Sequence, residues 1–126
     1  MRKTSDFEPS PAFQFYASDW ISNSDVLKLS LEEQGAFVRL FCYCWRSYRI
    51  LNDTEVLAKM CNCRLSKMES MLPNLEKMFI KQKGDDGKEY LICSYAEAER
   101  RIQKNNRRKK SLAGRKGASV RWGDNE

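Results

Sequence analysis

Ser30-Leu-Glu-Glu-Gln-Gly-Ala-Phe-Val-Arg-Leu-Phe-Cys-Tyr-Cys-Trp-Arg-Ser47 is the stretch on which the reading of this chain turns. Ser30 followed three residues later by Glu33 has the form of a capping box, which satisfies two otherwise orphaned N–H groups at a helix start. Behind it, Phe37, Val38, Leu40, Phe41, Cys42, Cys44 and Trp45 cover nearly the whole circumference of a helix. A helix that is apolar all round is buried rather than laid on a surface. The spacing therefore predicts a central helix, with function to be sought at its periphery.

The 126 residues suit one domain with a single core and an appendage. No apolar run approaches the roughly 18 residues of a membrane span, and the polar start Met1-Arg-Lys-Thr-Ser-Asp6 does not read as a signal peptide. The expectation is a cytosolic protein that does not engage a membrane. The net charge of +6 is unevenly distributed. Residues 100–126 hold ten Lys/Arg against two acids, a net of +8, so the remainder carries −2. That asymmetry points to a polyanionic partner, nucleic acid first.

Five cysteines occur without a single histidine. The pairs Cys42/Cys44 and Cys61/Cys63 invite a zinc reading, but residues i and i+2 of a helix point about 200° apart and cannot share a metal. An odd count argues against a disulfide framework, which leaves free thiols serving as small hydrophobes. No metal and no cofactor is expected.

Around the central helix, residues 1–10 read as a polar arm. Phe13 and Phe15 alternate like a short strand and lead to Tyr16 and Trp20, an aromatic lid on the central helix or a stacking platform for bases. Ser22 to Asp25 lead into a helical turn or two. Tyr48 to Asp53 form a short connection with Ile50 and Leu51 extended. Asp53 caps a helix from Thr54 to about Met60. Cys61-Asn-Cys-Arg64 is a tight turn in which Asn62 accepts a left-handed conformation. Ser66 and Glu69 suggest a capping box for a helix over 66–77, bent or broken at Pro73. Phe79–Lys83 and Lys88–Cys93 flank a glycine-bounded turn as a hairpin. Ser94 and Glu97 suggest a last helix, whose apolar positions stop at Ile102. The fold class read from this order is mainly α with a small β-hairpin, winged-helix-like over residues 11–102. A basic tail follows over 103–126, as an extended helix or a disordered segment.

Phe13-Gln-Phe-Tyr-Ala-Ser-Asp-Trp20, with Ser30-Leu-Glu-Glu-Gln-Gly-Ala-Phe37 close behind, resembles the YdaU-like phage and prophage domain, a family described as of unknown function and linked to replication initiation. The likeness continues through Leu57-Ala58 and Leu72-Pro-Asn-Leu-Glu76 and ends in Ala113-Gly-Arg-Lys-Gly-Ala-Ser-Val-Arg-Trp122, about residues 11–122. The resemblance implies a phage or prophage origin, a winged-helix-like fold and a role in DNA replication initiation. It carries over no catalytic residue.

Two constellations are candidates for DNA contact. The tail residues Arg100, Arg101, Lys104, Arg107, Arg108, Lys109, Lys110, Arg115, Lys116 and Arg121 fall within 22 positions without one acid. Such a segment binds phosphates strongly, in a salt-sensitive and sequence-blind way. Helical spacing gathers Arg100, Arg101, Lys104 and Arg108 into one stripe, Gly114 and Gly117 permit close backbone approach to phosphate, and Trp122 adds a stacking contact. On the helix-turn-helix, Arg64, Ser66, Lys67 and Ser70 would lie nearest base edges, with Lys81, Lys83 and Lys88 of the hairpin on flanking phosphates. Glu69, Glu76, Asp85 and Asp86 dilute both surfaces. A solubilising tail without a specific role is the bland alternative.

With no histidine and no phosphate-cradling loop, no enzyme is expected. The reading is a DNA-binding protein of replication, on single- or double-stranded DNA, with a replicative helicase or another replication protein as a further partner. A protein–protein adaptor and a winged-helix transcriptional repressor are the alternatives, and a homo-oligomer is compatible with either.

Overall fold

The computed structural model describes residues 10–123, with side chains through Leu112. The predicted arm lies outside the described residues except for its last residue, Ser10. The chain is mainly helical with a small three-stranded antiparallel sheet. In order, the elements are α1 (Ala17–Ser22), α2 (Ser24–Leu27), α3 (Leu31–Ser47), β1 (Arg49–Leu51), α4 (Thr54–Met60), α5 (Leu65–Leu75), β2 (Phe79–Lys83), β3 (Glu89–Cys93) and α6 (Ser94–Gly123).

The capping box of α3 forms as its residues dictate. Glu33 N–H donates to the Ser30 hydroxyl (3.1 Å) and Ser30 N–H donates to the Glu33 carboxylate (2.9 Å). The second Glu33 oxygen accepts from the Asn74 amide at 2.9 Å, so the same carboxylate ties α5 to the start of α3. Phe37, Leu40, Cys44 and Trp45 enter the core with Leu57 of α4, Met68, Met71 and Leu75 of α5, Leu91 and Cys93 of β3, and Ala96 of α6. Phe37 is the hub, with ring centroids 5.6–6.1 Å from Trp20, Phe41, Phe79 and Tyr95.

The structure corrects several expectations. α3 is not buried all round: Leu31, Val38 and Cys42 face solvent, because the surrounding elements cover only part of its circumference. Residues 13–16 are irregular rather than a strand. Phe13 turns inward against Phe41 and Trp45 at 4.6 and 5.3 Å, while Phe15 stays exposed. The connection after α3 contributes a third strand, β1, paired with β3 (Arg49 opposite Ile92, Leu51 opposite Tyr90), and β3 also pairs with β2, giving the order β1-β3-β2. α5 begins at Leu65 with Arg64 at its cap position and no side-chain cap bond, so the Ser66/Glu69 box does not open the helix. Pro73 lies within α5, and three residues later the chain tightens into a 3-10 turn over Glu76–Met78.

Other local readings hold. Asp53 caps α4 through the N–H groups of Glu55 and Val56 (2.9 and 3.2 Å), and Asn62 is left-handed at φ 54°. In the hairpin turn Gly87 has φ 81°, and a Cβ on Gly84 would stand 2.7 Å from both Asp86 and Tyr90.

Two predictions follow from the core. Phe37→Ala should cost about 3–5 kcal/mol in denaturant unfolding, whereas Gly35→Ala should add about 0.5–1 kcal/mol, since a Cβ at Gly35 meets nothing within 4 Å. Burial pushes the Glu33 carboxyl upward, but hydrogen bonds from Ser30 and Asn74 and the charge of Lys67 bring it below its ordinary 4.5. A carboxyl depressed on folding stabilises above its unfolded pKa and loses that contribution as pH falls through the folded value. Thermal melts should therefore show a Tm gap between wild type and Glu33→Gln that narrows once the pH drops below about 4.5.

Candidate nucleic-acid interface

The helix that carries the cations, α6, starts inside the body, immediately after β3. Ala96, Glu99 and Arg100 are buried. The Glu99 carboxylate accepts from the Tyr16 hydroxyl (2.7 Å), Gln14 N–H (3.2 Å) and the Gln103 amide (3.3 Å), clamping the N-terminal aromatic segment onto α6. That hydrogen bond to a carboxylate raises the Tyr16 phenol above its usual value.

Arg100, grouped with the tail by sequence, is removed from it by the structure. Only 8% exposed, its guanidinium donates to the carbonyls of Cys44 (3.1 Å) and Trp45 (3.0 Å). It also pairs with Glu97 at 3.1 Å and lies 4.6 Å from the Trp45 ring centroid. The last carbonyls of a helix run short of intrahelical donors. From a neighbouring helix Arg100 donates to Trp45 O and adds a second donor at Cys44 O, which also accepts from Tyr48 N–H at 2.8 Å. Its charge is spent inside the fold and is not presented to phosphate.

One residue further on, the side chains turn outward. Arg101, Lys104, Arg107, Arg108, Lys109 and Lys110 are all exposed. Successive residues turn by about 100°, so 107–110 set positive charge around the full circumference instead of one stripe. The helix runs through Gly114 and Gly117 to Gly123, so these glycines lie within α6 and do not bracket a loop. The side chains of Arg115, Lys116, Arg121 and Trp122 lie outside the described ones.

The helix-turn-helix residues are more compromised. Arg64, Ser66, Lys67 and Ser70 are exposed at the first turns of α5. However, Lys67 forms an ion pair with Glu32 of α3, and the Ser70 hydroxyl donates to Lys67 O at 2.7 Å. On the hairpin, Lys81 pairs with Glu76 at 2.9 Å, a hydrogen bond that raises its pKa. Lys83 stands opposite Glu89, and Lys88 sits exposed beside the turn. Sequence reasoning missed Arg49, which lies 3.8 Å over the Tyr90 ring and donates to Gln82 at 2.9 Å on the outer face of the sheet. The extended reading of Ile50 and Leu51 was the available signal, and the brevity of the strand hid its reach back to Arg49.

The molecule also carries an apolar groove of about 600 Å³ between the aromatic segment, α3 and the start of α6. Phe13, Phe15, Trp20, Val38, Phe41 and Ile102 are among its lining residues. Among the described residues no group of three or more Cys, Asp or Glu is placed to hold a metal ion. The Cys44 thiol is pushed far up by burial, and burial raises Cys93 and Cys61 to about 11.

Fold and site together define a small, mainly helical domain that extends an exposed cationic helix. The chain belongs to a family of proteins of unknown function (DUF1376), whose match spans residues 11–101. Neither a comparison with curated proteins nor one with solved structures finds a match. The family match ends where α6 leaves the body. Among the described residues no helix is long and apolar enough to cross a membrane.

The geometry makes Arg100 a stability residue. Arg100→Ala should cost about 3–5 kcal/mol, as for removal of one partner from a buried charge pair, while Arg101→Ala should stay within about 0.5 kcal/mol as an exposed substitution. Urea unfolding of the two variants separates them.

Proposed function

We propose that this chain is a non-enzymatic DNA-binding protein of phage or prophage replication initiation, working in the bacterial cytoplasm and gripping the phosphate backbone through α6. The observation that carries the reading is the run Arg101 to Lys110, in which six cations and no acid stand exposed on a helix leaving the body. A helix of about 10–12 Å diameter suits a major groove about 12 Å wide. Cations on every side let it follow phosphates on both walls of that groove, or along a single strand. Mutual repulsion among these cations destabilises the free helix and is relieved on a polyanion.

The finer reading of the body is a winged helix. In its support, α3, β1, α4, α5 and the β2–β3 hairpin follow one another in order, with β1 closing the hairpin into a sheet. The α4–α5 pair and hairpin would orient the protein on an origin or an exposed strand, while α6 supplies affinity. With Lys67 and Lys81 already engaged by carboxylates, base reading by this body would be weak. That favours a replication factor over an operator-reading repressor. A role as an adaptor for a replicative helicase or another replication protein draws on the apolar groove as a protein-contact surface.

Fluorescence anisotropy with labelled single- and double-stranded DNA across a salt series tests this reading. Changing Arg107, Arg108, Lys109 and Lys110 together to Gln in the full chain should flatten the duplex log K against log salt slope by about 3.6, at roughly 0.9 for each lost phosphate contact. Unchanged affinity and slope would refute the grip by α6.

A further inference from the structure

Four α3 residues form a strip left exposed among the described residues. Leu31, Gly35, Val38 and Cys42 follow 4-3-4 spacing, the periodicity of a helix–helix seam. Leu31 is 85% exposed and Val38 39%, and Cys42 is the exposed cysteine of the five. Gly35 is the unusual member. A glycine inside a helix costs stability relative to alanine, yet a Cβ there would meet nothing within 4 Å. No internal packing requires the glycine; close approach of another backbone from outside would.

The flanks of the strip say what that backbone is. On one side the strip borders the apolar groove through Val38 and Phe41. On the other side Glu32, Arg39 and Arg46 stand exposed at intervals of seven, acid at the N-terminal end and bases toward the C-terminal end. Glu32 also pairs with Lys67 but keeps 64% of its side chain exposed, and Arg39 Nε donates to Met60 O at 2.8 Å, leaving its other guanidinium nitrogens for a partner. Such a flank is complementary to itself when reversed. We infer that α3 pairs antiparallel with α3 of a second copy of this chain, in a two-fold dimer. Gly35 then faces the partner's Val38, and Leu31 faces the partner's Cys42.

This register brings Glu32 beside the partner's Arg39 and Arg46 and seats the partner's Leu31 against Val38 and Phe41, at the mouth of the groove. Gly35 lets the helices approach at the near end of the usual 8–10 Å interaxial range. A two-fold interface uses one patch twice, which the single strip and its antisymmetric charges satisfy. The dimer does not depend on the DNA reading. It would place two α6 helices on one nucleic acid.

Sedimentation equilibrium of nucleic-acid-free, full-length protein across the micromolar range tests the inference. Wild type should be a concentration-dependent dimer, and Val38→Glu should be monomeric with unchanged circular dichroism. Gly35→Ala should weaken the dimer at least tenfold. Arg46→Glu should weaken it. With oxidised glutathione, Leu31→Cys should cross-link to the partner's Cys42, a bond that needs backbones within about 7 Å, while Leu31→Cys with Cys42→Ser should not. A monomer at every concentration overturns the inference and assigns the strip to a different protein. A dimer that survives Val38→Glu, or cross-linking that persists without Cys42, overturns it equally. Because no DNA is present, these outcomes are independent of the grip by α6.

Discussion

The end of a central helix must give its last carbonyls to some donor, and here that donor is a guanidinium from the final helix. A buried carbonyl left unpaired would cost on the order of 1–3 kcal/mol, and while Cys44 O also accepts from Tyr48 N–H, Trp45 O takes its side-chain donor from α6. Arg100 meets those of Cys44 and Trp45 while its planar face covers the Trp45 ring. Just beyond them, Tyr48 takes φ 75° and ψ −53° to turn the chain from α3 into β1. A non-glycine residue in that region is strained, and the paired sheet holds it there. The direction of α6, and so the direction in which the cations project, follows from this one junction.

Two buried carboxylates organise the rest of the periphery. Glu33 joins the cap of α3 to Asn74 of α5. Glu99 joins the N-terminal aromatic segment to α6. Each accepts several hydrogen bonds, which is the condition for a carboxylate to be buried without a prohibitive desolvation cost. The aromatic segment has no regular structure over residues 13–16, and the carboxylate of Glu99 together with Phe13 against Phe41 and Trp45 keeps it in place. The apolar groove exists because this segment spans α3 and α6 without filling the space between them.

Charge is divided as sharply as structure. Within the body, exposed cations meet acids, as in Lys67 with Glu32 and Lys81 with Glu76. On α6 beyond Arg100 there is no acid before residue 124 to answer them. The balanced body suits contact with protein and the unbalanced helix suits contact with a polyanion, so the proposed dimer and the proposed DNA grip occupy different surfaces.

By itself the sequence determined the local structure. Ser30 with Glu33, Asp53 and Asn62 each carry their reason in their own side chains, and the alternation around Gly84 and Gly87 marks the hairpin. The aromatic content of residues 13–20 showed that this segment belongs against the core. The tertiary structure alone decided what depends on distant neighbours. Arg100 and Arg101 are identical in sequence terms, yet one faces the end of α3 and the other faces water. β1 is three residues long and exists only because β3 offers it an edge. Glu97 and Glu99 share the first turns of α6, but only the latter meets the aromatic segment across more than eighty residues. Periodicity reports which side of an element is apolar. Whether that side is covered, as for Phe37, or left open, as for Leu31 and Val38, depends on how far the rest of a small chain reaches around it.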